Sequence, residues 1–94
     1  MVVFEKQNGP HAHNEFQRWR QKHPTGLVLN RKTKSYGMIH LATCSHFGDM
    51  DTAEDAWGNL TRNAKICSTE LEEVRRYAID HGIEIVDCPD CKPG

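Results

Sequence analysis

The sequence predicts an α+β fold, a small antiparallel sheet with two main helices packed on it, stapled by one pair of zinc knuckles. Three observations carry this. EFQRWRQKH and LEEVRRYAID place apolar residues at helical spacing. LVLN, YGMIH and RNAKICS are short apolar runs bounded by turn residues, the pattern of strands. The third is a cysteine pair, Cys88-x2-Cys91, matched upstream by His40-x3-Cys44.

The elements follow in order. Residues 1–13 are expected to be a flexible N-terminal segment, because QNGPHAH is turn chemistry, although VVF is able to add a short strand. Residues 14–94 are expected to form a single zinc-stabilised domain. Asn14 is a candidate N-cap for the first helix, whose Phe16 and Trp19 share a face directed at the core. Pro24 and Gly26 end it. LVLN and YGMIH flank the polar RKTKS, so Val28, Leu29, Met38 and Ile39 enter one sheet through a hairpin and leave His40 at a strand end. Residues 48–61 are acidic and irregular, with Thr52 able to cap a helical turn over AEDAW. RNAKICS supplies a third strand, with Cys67 a small buried apolar residue. Ser68 or Thr69 caps the second helix, Thr69-x-x-Glu72 reading as a capping box. Leu71, Val74 and Ala78, with Tyr77 beside them, form its inner face, and Gly82 fits its C-terminal stop. IEIVD then leads back to Cys88.

The terminal cysteine pair calls for metal. A redox pair needs a helix starting at its first thiol, and Lys92-Pro93-Gly94 offers none. No apolar signal core and no membrane-length stretch is present, so a cytoplasmic location with reduced thiols and no membrane partner is expected. A tetrahedral zinc ion takes two ligands from each of two knuckles, here His40 with Cys44 and Cys88 with Cys91; His46 is the alternative to His40. Size argues the same way. A chain of 94 residues with mean hydropathy −0.70 has a limited core. A structural zinc contributes on the order of 10 kcal/mol, comparable with the whole net stability of an ordinary domain.

The net charge is only −1, but its distribution is uneven. No Asp or Glu lies between Phe16 and Gly48, a stretch that holds Arg18, Arg20, Lys22, Arg31, Lys32 and Lys34. If the first helix and the hairpin lie side by side, these six form a basic face suited to a phosphate backbone, DNA above all. The other reading is ordinary solvated surface. No Gly-rich phosphate loop and no triad context appears, so an enzyme is not expected, a small metal-dependent hydrolase being the residual possibility.

From Tyr36 to Pro93 the residues YGMIHLATCSHF and AKICSTELEEVRRYAIDHGIEIVDCPDCKP resemble the metal-binding domains similar to the N-terminal domain of the Ada DNA methylphosphotriester repair protein. The resemblance implies zinc held by His40, Cys44, Cys88 and Cys91 in a small domain that reads DNA backbone. The methyl-accepting thiol of that repair protein falls at the first ligand position, where this chain has His40. Alkyl transfer is therefore not implied, whereas a structural zinc is. The function expected is a zinc-stabilised nucleic-acid-binding or targeting module, accessory to a nuclease or DNA-modifying system. The alternative is a zinc-stabilised protein-interaction module.

Overall fold

The computed structural model describes residues 1–5, 12–44 and 64–91. Their elements are β1 (Val2–Phe4), α1 (Ala12–Lys22), β2 (Leu27–Arg31), β3 (Tyr36–Leu41), β4 (Ala64–Ser68), α2 (Leu71–Asp80) and β5 (Glu84–Asp87). The strands make one five-stranded sheet in the order β1-β4-β2-β3-β5. The expected hairpin joins β2 to β3, with Leu29 opposite Ile39. The expected third strand, β4, pairs antiparallel with β2 and aligns Val28 with Cys67.

The α+β class holds, but the sheet is mixed, not antiparallel. β5 runs parallel to β3, with Gly37 beside Ile85 and Ile39 beside Asp87. The cause is α2. A strand that follows a crossover helix returns in the direction of the strand before it, and β4 already runs in the sense of β3. Val2–Phe4, set apart above in a flexible segment, forms an edge strand against β4. Among the described residues no helix is long and apolar enough to cross a membrane.

Alternation along the strands divides the core into two layers. On one face Phe4, Val28, Cys67, Cys44 and Cys88 pack with Phe16, and Trp19 and Met38 lie against them. α1 covers this face. On the other, Leu27, Leu29, Ile39 and Ile66 pack with Val74, Ala78 and Ile83, with Leu71 and Tyr77 at the margin. α2 covers that one, through the residues its periodicity assigned.

The helix ends differ in detail from expectation. α1 begins at Ala12, so Asn14 lies inside its first turn and is not the cap. At α2 the N-cap residue is Glu70, which makes no side-chain capping bond. Ser68, still in β4, accepts the Glu70 N–H at 2.9 Å and donates to Glu73 Oε1 at 2.5 Å. With Glu70 at the N-cap, Thr69 and Glu72 do not occupy capping-box positions, and the expected box is absent; Ser68 reaches the N-cap N–H from the strand instead. Gly82 takes φ 64°, the left-handed conformation that ends α2. The Thr52 turn lies outside the described residues.

Gly26 is fixed by proximity. A Cβ there would lie 2.5 Å from Trp19 Cη2 and 3.0 Å from the His23 carbonyl oxygen. Gly26→Ala is expected to lower stability by about 1–3 kcal/mol, as overpacking does, read as a lower urea midpoint at unchanged slope.

Lys65 gives a pH test. It is 3% exposed on the α1 face, beside Phe4 and Asn30 in the register. Burial draws its ammonium down to about 8, against the opposing influence of Cys67. Between pH 8 and its ordinary value the unfolded chain binds more protons at this residue, so stability rises with pH. Cys67, whose thiol burial pushes upward, acts oppositely once unfolded thiols ionise near pH 9. The Lys65 rise is therefore expected between pH 8 and 9, worth about 1 kcal/mol, and the difference between wild type and Lys65→Met across that unit isolates it.

Candidate metal centre

β3 and β5 end side by side, and the four donors collect where they stop. His40 is the second-last residue of β3 and is buried on the α1 face. After Leu41 the chain turns tightly, the Cys44 N–H donating to the Leu41 carbonyl at 3.0 Å. The Ala42 N–H donates to Gly26 O at 2.9 Å and ties this turn to the end of the α1–β2 connection. Cys88 follows β5 directly, and its N–H donates to the Ile39 carbonyl at 2.9 Å, extending the parallel ladder by one rung. Pro89 and Asp90 then turn the chain so that Cys91 faces the same point.

The ligand atoms of His40, Cys44, Cys88 and Cys91 all lie within 4.8 Å of one another. Among the described residues they form the one His, Cys, Asp or Glu cluster close enough to hold a metal ion. Cys44 Sγ and Cys88 Sγ are 4.0 Å apart. Two thiolates on a tetrahedral ion with bonds of about 2.3 Å stand about 3.8 Å apart, so the spacing fits. Three sulfurs and one imidazole are the donor set that zinc favours.

The backbone prepares these sulfurs for negative charge. Leu41 donates its N–H to Cys91 Sγ at 3.2 Å. Burial would raise the Cys88 thiol, but N–H groups of Cys91 and Asp90 point at its sulfur and hold it below the ordinary thiol value. Cys91 is pushed up to about 12, first by burial, despite the Leu41 N–H, and then by the Cys44 and Cys88 sulfurs beside it. Thiols packed this closely suppress one another's ionisation, and a divalent cation among them reverses that penalty.

Of the remaining candidates, Cys67 is fully buried in the core as expected and is outside the cluster. His46 lies outside the described residues. The six cations separate. Arg18 and Lys22 are exposed on α1, and Lys32 and Lys34 are exposed in the β2–β3 turn. Arg31 is half-buried and donates to Tyr77 Oη at 3.3 Å and to the Lys34 carbonyl at 3.1 Å. Arg20 is not on the surface; it is 1% exposed. Its Nε donates to Ala42 O at 2.6 Å and its Nη2 to Cys44 O at 3.2 Å, so it grips the turn between two ligands. The sequence did hold a signal for this: Arg20 is four residues after Phe16 and shares its inward face.

No protein-family model, curated protein or solved structure matches this chain.

One ion per chain is expected by metal analysis, and Co2+ should give the absorption of a tetrahedral thiolate site. Cys88→Ser should abolish that spectrum, and removal of the metal by chelator should unfold the domain, since such an ion contributes on the order of 10 kcal/mol.

Proposed function

We propose that the chain is a small domain stapled by one structural zinc ion, which presents cations to the phosphate backbone of nucleic acid, DNA above all. The observation that carries the first half is the four-donor cluster. Four protein ligands complete a tetrahedral shell and leave no position for an activated water, so the ion holds the fold and does not hydrolyse. The order β3, first ligand pair, β4, α2, β5, second ligand pair also agrees with the resemblance to Ada-type metal-binding domains drawn from Tyr36–Pro93. His40 in place of the acceptor thiol directs the reading to binding and not to alkyl transfer.

The second half rests on Arg18, Lys22, Lys32 and Lys34. One exposed pair lies on α1 and the other in the β2–β3 turn, so the two pairs suit separate contacts on one backbone. Arg20 is removed from the basic face by burial, and Arg31 is engaged with Tyr77.

Four contacts on duplex DNA correspond to a log–log salt slope near −3.6, at about −0.9 per contact. Titration of labelled duplex at several salt concentrations should show that slope, and Lys32→Ala with Lys34→Ala should reduce it by about two while leaving metal content unchanged. Wild type that fails to bind even at low salt would remove the nucleic-acid reading. A protein-interaction module would then be the better description.

A further inference from the structure

Arg20 is the largest fully buried side chain of the described residues, and it is cationic. A buried guanidinium is costly unless every donor is used and opposite charge lies near. Here Nε and Nη2 take the carbonyls of Ala42 and Cys44, and Nη1 donates to Gln17 Oε1 at 2.5 Å. Gln17 is itself 4% exposed, so the arrangement is sealed from water. The Phe16 ring lies 5.9 Å from the guanidinium carbon and closes it on another side. These contacts span α1 and the turn that delivers Cys44, elements 22 and 24 residues apart.

Three thiolates, a neutral imidazole and a divalent ion sum to −1, so a filled centre is an anion in a buried site. We infer that Arg20 is the positioning residue and counter-cation of the metal centre: it orients the 42–44 turn through two carbonyls and neutralises the ligated ion. This inference rests on the metal reading above and extends it to a residue that is not a ligand. It also explains why a helix otherwise solvated on its outer face turns an arginine into the core. A lysine could supply the charge but not the fork that reaches two carbonyls and Gln17 together.

The test measures metal and not only folding. Wild type, Arg20→Met, Arg20→Lys and Gln17→Ala are loaded with Co2+ and then competed with a chromophoric chelator across pH 6–8. Arg20→Met is expected to bind metal about 10–100-fold more weakly, the range for lost outer-shell partners. Its binding midpoint should move to higher pH, because the thiolates lose their countercharge. Arg20→Lys should recover the midpoint but keep an altered Co2+ spectrum, since charge returns without the two-carbonyl grip. Gln17→Ala should weaken binding less than Arg20→Met, leaving both carbonyl bonds in place. If Arg20→Met does not fold with excess metal, the lysine and Gln17 variants carry the same comparison. Variants that match wild type in affinity, midpoint and spectrum overturn the role of Arg20 alone. A wild type that takes up no Co2+ overturns the metal reading and this inference with it.

Discussion

The four-donor cluster depends on the register in which β5 lies beside β3. Ile39 pairs with Asp87, so His40 and Cys88 emerge next to one another, and the bond from the Cys88 N–H to the Ile39 carbonyl fixes that step. A slip of one residue would turn Cys88 to the α2 face, because side chains alternate along a strand. The apolar residues of α2 therefore act on the site without touching it. By seating the helix on Ile66, Leu29 and Ile39 they set where β5 returns and which way its last side chain points.

The two faces of the sheet are built differently. The α2 face is aliphatic and closes by ordinary burial. The α1 face carries four cysteines, a histidine, a buried lysine and a buried arginine within a small apolar set. Groups of this kind gain little from simple burial, and each is costly if its charge or hydrogen bonds go unmet. The layer becomes coherent when its polar members answer one another, with Arg20 holding carbonyls, backbone N–H groups aimed at sulfur, and the sulfurs gathered at one point.

Much of this was legible in the sequence because it rests on local periodicity. The hairpin, β4 and the buried face of α2 follow from alternation and helical spacing, and the four donors from knuckle spacing. What was not legible was non-local. The parallel return of β5 depends on the length and seating of a crossover helix, and VVF, though readable as a short strand, does not announce the edge of β4 as its partner. Arg20 was misread for a related reason. A composition argument treats every cation as solvated, whereas the helical phase from Phe16 places this one inward, where Ala42 O, Cys44 O and Gln17 Oε1 accept its N–H groups. The cap of α2 shifted to Glu70 because β4 continues through Ser68.

The two ligand pairs lie far apart in the chain, Cys44 and Cys88 being 44 residues from each other. An ion joining them is a crosslink closing a long loop, and a covalent bridge of that span restricts the unfolded chain by about 4 kcal/mol in a simple entropy model. Unlike a disulfide, this link is set by concentration. Once free metal exceeds the dissociation constant, each tenfold change alters stability by about 1.4 kcal/mol. With such a link the folded population follows the supply of free metal, and resistance to proteolysis follows with it.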